Sequence, residues 1–447
     1  MRPIEELQDH AERSVEGALA AGADHAEAFI QEGRSLNWVC REGFTAPKAS
    51  HSLGMALRVV VDGRPGQASS SGSGRIAELV DEACLAARQA PVDVAFAGFA
   101  APATRSSDTP SATPEVFRDP DPARLEALGA AAMAALDQEA CTYRAVTVAS
   151  SRSRFAVAND TGHQAWDETS LEWMLLDTRA GEVGTQAQRT GMDLLAAREG
   201  LQMSEIERVG GALARRTADA LQHKPLGRPV TDVVLAPQAA GQFVSMFLHP
   251  LSGRLVETGK GPFAGRLGEQ VASPLLDIRD APAGHRVRRF DHEGTPCDPL
   301  DLVTDGLLRN VLHDTRSGAA AGTGSNGRGL RAGGWSSGVG VAPVHPVVGG
   351  GDKSLEELIA AEDRAVLVTD PLAGFFSSNR TTGDFSVVAP FGFLIEKGEV
   401  VHALPHTTIG GNVHDLMRDL HGVGREQVEA RSGTFTALSG GGVSCAA

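Results

Sequence analysis

The sequence predicts an α+β protein, with an N-terminal mixed α/β domain over residues 1–226 and a β-rich C-terminal domain over residues 227–447. Three observations predict it. The 447 residues amount to about three typical domains, so more than one core is expected. Helical periodicity is concentrated before Leu226-Gly227-Arg228-Pro229, a linker-like stretch. After it come short apolar runs separated by Gly turns, the pattern of strands.

In chain order, residues 4–22 place Ile4, Leu7, Ala11, Val15 and Leu19 on one helical face. HAEAFIQEG and SLNWVCREG read as two strands, and SLGMALRVVVDGRPGQASS as a hairpin turning at Asp62-Gly63. A helix follows over residues 74–90, then an Ala/Pro/Ser/Thr-rich surface loop, APVDVAFAGFAAPATRSSDTPSATPEV. PARLEALGAAAMAALDQ reads as a third helix. Strands run from Thr142 to Met192 with turns at Asn159-Asp160 and Ala180-Gly181, and a helix over residues 202–222 closes this half. In the second half TDVVLAP, SPLLDIRD, HRVRRFDHEG, LVTDGLLRNVLHD, AVLVTDPLAG and GDFSVVAPFGFLIEKGEVVHAL read as strands. Asp305-Gly306 and Lys397-Gly398-Glu399 read as hairpin turns.

Composition excludes several classes. Hydrophobic residues at 42% and charged residues at 22% are ordinary for a globular protein. The net charge of -15, with no Lys/Arg run, argues against a nucleic-acid partner. Cys40, Cys84, Cys141, Cys297 and Cys445 are scattered and form no CxxC pair, so reduced thiols are expected, with Cys445 an exposed tail thiol. The amphipathic N-terminus is not a secretory leader, and no run approaches the ~20 apolar residues of a membrane span. A cytoplasmic protein with no membrane partner is expected.

Several ordered segments resemble the TldD/PmbA family of peptide-processing proteins. They are Ala21–Glu27, VVLAPQAAGQF, Arg266–Asp280 (RLGEQVASPLLDIRD), Asp291–Pro296, residues 302–327 and TTGDFSVVAPFGFLIEKGEVVHALPHTTIGGNVHDLM. The TldD-type members carry HExxxH on the helix after VVLxPxAAG, where two His and an acidic base hold zinc and activate water. Here the same stretch reads Gly241 to Pro250. Ser245 stands for the first His, Met246 for the Glu and Pro250 for the second His, and neither HExxxH nor HExxH occurs anywhere in the chain. The resemblance therefore implies the PmbA (TldE)-like branch, with no metal and no cofactor of its own. It implies as partner a TldD-type zinc protease subunit, or a self-dimer, and as substrate an extended peptide. A stand-alone homodimeric hydrolase of amide or amino-acid conjugates and a non-catalytic peptide-binding module are the competing readings.

The remaining candidates follow from that resemblance or from spacing. Thr382, Gly383, Asp384 and Phe385 match a segment that lies near the cleft in the zinc-bearing relatives, where a peptide would add to a sheet edge. His406 would line the same cleft. Arg316, beside Asp314, would orient a substrate carboxylate; the plainer reading is an ion pair at a loop. His249 reads first as a helix-end residue before Pro250, and second as a displaced catalytic His. Ser245 and His249 at i, i+4 could touch on a helix, but no GxSxG elbow accompanies them. His402 and His406 share a strand face about 13 Å apart, too far for one metal. The other second-half histidines, His285, His292, His313 and His414, leave room for an alternative site. Ser317-Gly318 and Gly322–Gly327 read as a Gly-rich loop without a phosphate-binding Lys.

Overall fold

The computed structural model describes residues 1–102, 120–137, 139–182, 184–185, 188–197, 200–282 and 288–447. Most of the expected Ala/Pro-rich loop, and His285, lie outside the described residues. The architecture is a mixture of helices and strands, as the sequence predicts.

The first half is built on one antiparallel sheet. Its strands are β1 (His25–Arg41), β2 (Phe44–Val61), β3 (Arg64–Ser71), β4 (Cys141–Asn159), β5 (Gln164–Ala180) and β6 (Arg189–Ala197), in the order β3-β2-β1-β4-β5-β6. The helices are α1 (Ile4–Ala20), α2 (Ile76–Gln89), α3 (Pro122–Ala135) and α4 (Met203–Asp219). HAEAFIQEG and SLNWVCREG form one continuous strand rather than two, because Gly33 and Arg34 keep full pairing to both β2 and β4. The Asp62-Gly63 turn has both residues at positive φ, 52° and 71°, the backbone a two-residue hairpin requires. Leu19 is not on the buried face; it is 39% exposed, and Ala18 takes its place in the core.

Strand β1 is a wall between two cores. Ala26, Ala28 and Ile30 pack with α1 and α2. Phe29, on the opposite face, packs with Phe155 and, from the second half, Phe290 and Trp335. The alternation in HAEAFIQ therefore encodes two buried faces. Trp335 lies so close to β2 that a Cβ on Gly54 would fall 2.1 Å from its ring.

A second close approach fixes β3 against α2. A Cβ on Gly66 would sit 2.3 Å from the Ala83 carbonyl oxygen and 2.4 Å from the Ala87 nitrogen. Both atoms are helix backbone and cannot rotate away. Gly66→Ala is expected to force α2 off the sheet and cost about 2 kcal/mol, read as a lower urea midpoint. An unchanged midpoint would contradict the packing.

In the second half, β7 (Val233–Leu235) runs beside Arg364–Val368 in a mixed six-stranded sheet. A second sheet of six includes Ile278–Asp280 and Leu300–Thr304, and a third of three joins Asp384–Ala389, Thr407–Asn412 and Ser444–Ala446. Helix α5 (Pro237–Leu248) lies in the main core between them. Pro237 starts it at a position where no N–H is needed.

Three local expectations fail here. Arg288–Gly294 forms no strand; it is a turn in which Asp291 Oδ1 accepts from the Glu293 and Thr295 N–H groups, each at 2.9 Å. Thr315–Ala321 is a helix and not a loop, because Asp314 and Ser317 build a capping box, which offsets the low helix propensity of Ser317-Gly318. Cys445 is buried, not an exposed tail thiol, since its strand pairs with Thr408–Gly410; burial pushes its thiol up to about 12.

Candidate functional site

Helix α5 carries the positions that matter most to the reading. Its buried face is Ala239, Ala240, Phe243, Val244, Phe247 and Leu248, while Ser245 and His249 form an exposed stripe one turn apart. Ser245 Oγ donates to the Gly241 carbonyl at 2.7 Å, the back-bond of a helical serine, and makes no hydrogen bond to His249. Met246 is buried, and Pro250 sits in a 3-10 turn, His249–Leu251. Partial burial, and then the Arg380 charge, lower the His249 pKa, favouring neutral imidazole. A pocket of about 210 Å³ lies against this stripe, walled by Leu312 and by Val341 to Pro343.

A zinc ion does not fit these side chains. The helix offers one imidazole, one hydroxyl already bonded to its own backbone and one buried thioether, short of the three protein ligands a catalytic zinc needs. Among the described residues no three His, Cys, Asp or Glu side chains form a metal-holding group. His292, His313 and His414 lie in separate places. His292 accepts from the Arg331 N–H at 2.7 Å, His313 lies 3.3 Å from Ser317 Oγ, and His414 packs on Phe247 and Phe263.

The Thr382–Phe385 segment is held together. Asp384 is exposed and accepts from Thr382 Oγ1 at 2.6 Å and Asn412 Nδ2 at 2.9 Å; these bonds hold its carboxyl below the usual range. Gly383 has φ 88° and is pinned between Asn379 and Val413 by backbone bonds of 2.8 Å each. Phe385 turns inward, its ring 5.0 Å from Phe243 of α5. The strand Asp384–Ala389 is the edge of its sheet, but the edge is largely covered. Val388 exchanges both backbone bonds with Ala373, and the Asp384 carbonyl accepts from Asn379 N–H. Between these contacts Gly374 lies against Ser386, where a Cβ would fall 3.1 Å from the Ser386 carbonyl oxygen, so the chain's own residues run along this edge.

The other two predicted residues lie elsewhere. His406 is exposed in the turn before Thr407–Asn412, beyond the far end of the strand and so roughly 17 Å or more from Asp384. Arg316 is committed to Asp93 Oδ2 and to Glu257 Oε2, each at 2.8 Å. It joins the two halves of the chain as an ion pair, the plainer of its two readings.

Sequence reasoning missed a polar seam between the halves. Arg58 of β2 donates to Glu27 Oε1 at 2.6 Å and to Glu293 Oε1 at 2.8 Å. Glu27 and Glu293 are buried, and burial raises the Glu27 carboxyl despite Arg58. Glu27 and Arg58 are cross-strand partners, a pairing legible once the hairpin is placed. Glu293 lies 235 positions away from Arg58, and no local signal joins them.

Against this geometry, residues 228–443 match the PmbA/TldA metallopeptidase C-terminal domain and residues 26–87 match domain 1 of the same metallopeptidases. The chain belongs to the TldD/PmbA family. A relative from Methanothermobacter thermautotrophicus named Metalloprotease is 24% identical over 94% of this chain and 90% of its own length. Metalloprotease PmbA of Escherichia coli O157:H7 is 27% identical over 52% of this chain, which spans about half of that relative, 50%. Among solved structures, TldE from Thermococcus kodakarensis superposes with a TM-score of 0.83 at 23% identity, over 99% of this chain and 100% of that one. That likeness speaks to the TldD/PmbA fold and to nothing finer.

Proposed function

We propose that the chain is the metal-free, TldE-like subunit of a TldD/TldE-type peptidase, dividing near residue 226 into two domains. In this reading it shapes the cleft and pairs with a zinc-bearing TldD-type subunit, which cleaves unfolded or leader peptides in the cytoplasm. The observation that carries the reading is α5, where Ser245, Met246 and Pro250 stand at the three motif positions. Kinship with named metalloproteases supports the reaction class. The absence, among the described residues, of a helix long and apolar enough to cross a membrane is compatible with it.

On the chain's own residues, the mechanism is one of positioning. Phe385 and Phe243 lock the Thr382–Phe385 turn onto α5. The neutral His249 at the exposed stripe offers a donor or acceptor to a peptide carbonyl or amide. The test is hydrolysis of an unstructured protein such as casein. The pure chain is expected to give no cleavage, and addition of a TldD-type zinc subunit to give chelator-sensitive cleavage. Chelator-resistant hydrolysis by the pure chain would overturn the proposal.

A further inference from the structure

A pocket of about 350 Å³ opens at the seam between the two halves, away from the α5 stripe. On one side lies a row across the first sheet, where Glu27 faces Arg58 and Arg58 faces Gln67 in register. On the other side lie Arg254, Glu293 and Val339. Phe96 and Phe99 form a third wall, and the Arg58 guanidinium stacks on Phe99 at 5.1 Å from the ring centroid.

The hydrogen-bonding capacity of this pocket is lopsided. Each carboxylate oxygen in its lining already accepts at least one hydrogen bond. Glu293 Oε1 accepts from Arg58, while its Oε2 accepts from the Thr315 N–H and Oγ1 at 2.8 Å each. Asp93 accepts twice from Arg316 and once from the Ala95 N–H. The guanidinium groups are not saturated. Arg58 uses Nε and Nη2, and Arg254 uses Nε and Nη2, both on Asp314. Among the described residues neither Nη1 has a partner, and the Gln67 amide has none either. Spare guanidinium edges thus lie beside aromatic and aliphatic walls, next to a Gln67 amide that can donate or accept.

We propose that this pocket binds a small carboxylate carrying an apolar ring, with the carboxylate on the spare Arg58 and Arg254 edges and the ring against Phe96, Phe99 and Val339. A cavity of this size suits a ligand of amino-acid or dipeptide dimensions. Charge-assisted bonds to two guanidinium groups supply the selectivity for an anion over a neutral analogue. The reading does not depend on what α5 does.

Calorimetric titration of the full chain with N-acetyl-L-phenylalanine, and with its amide as the neutral control, tests the proposal. The acid is expected to bind saturably and the amide roughly 10-fold or more weaker, the worth of one charged hydrogen bond. Arg254→Gln is expected to weaken the acid by a similar factor and leave the amide unchanged. Gln67→Trp, at an exposed strand position outside the ion pairs, is expected to block both by filling the mouth, and it keeps the test alive should Arg254→Gln fold poorly. Equal binding of acid and amide, binding indifferent to Gln67→Trp, or no saturable binding of the acid would each overturn the proposal.

Discussion

Arg328→Ala is expected to destabilise the protein by about 3–5 kcal/mol. Arg328 is 1% exposed and its partner Asp280 is fully buried. The guanidinium donates to Asp280 Oδ2 at 2.8 Å and also to the carbonyl oxygens of Asp280, Asn326 and Asp298. Truncation removes the counter-charge and leaves three carbonyls and a carboxylate to fend for themselves. Asp280 would keep the Val344 and His345 N–H groups, which limits the loss but does not neutralise the charge. Against a total stability of about 5–15 kcal/mol, the change is large. Urea unfolding should show a lower midpoint. Replacing both partners together by apolar residues (Arg328→Met with Asp280→Leu) should recover part of the loss, because no buried charge then remains. A single-variant loss below about 1 kcal/mol would contradict this account.

The second large effect is acid sensitivity centred on His414. Its ring is buried against Phe247 and Phe263, with centroids 5.5 and 5.3 Å away, and its Nε2 has no partner among the described residues. Burial first, then the Arg418 and Arg266 charges, hold its pKa down at about 4, against the opposing pull of Asp415 and Asp384. The unfolded chain titrates near the ordinary value of 6.5. Between these two values the unfolded state binds a proton that the folded state refuses, so stability falls as pH drops. The contribution is fully present above about pH 6.5 and amounts to about 3 kcal/mol lost by about pH 4. Carboxylates with lowered pKa, such as Asp93 and Asp314, add an acid loss of their own. The measurement is therefore the difference between wild type and His414→Leu across that range. The wild type should lose about 3 kcal/mol more than the variant; parallel curves would rule out His414 as the source.

Much of the fold was legible because its signals are local. The first helix declared itself by periodicity and the hairpin at Asp62-Gly63 by turn chemistry, whereas α3 is Ala-rich with little contrast between its faces. Errors arose where a non-local partner or an unweighed local cap decided the outcome. Leu19 has the helical spacing of a core residue, yet it stays 39% exposed while Ala18 beside it is buried. Thr315–Ala321 looked like a loop because Gly and Ser weaken helices, while Asp314 supplied the cap that outweighs them. Cys445 looked like a tail thiol because strand pairing by the last residues leaves no periodic trace.

The candidate site divides the same way. The motif positions on α5 and the cluster of Thr382 to Phe385 could be located from sequence, since each is one short segment. The commitment of Arg316 to Asp93 and Glu257, the covering of the edge strand by Ala373 and Asn379, and the Arg58–Glu293 seam could not. Each joins residues that only the folded chain brings together.

The two-faced strand β1 has a consequence for how this sequence can change. Its odd and even positions answer to different neighbours, so the strand carries two interleaved instructions in one stretch of text. A substitution alters one instruction at a time. The loss of a single residue near Ala28 would exchange them from that point to the nearer end of the strand, presenting charged and aromatic side chains to the helices and small ones to the seam. The protein can thus tolerate edits of spelling in this strand far better than edits of length.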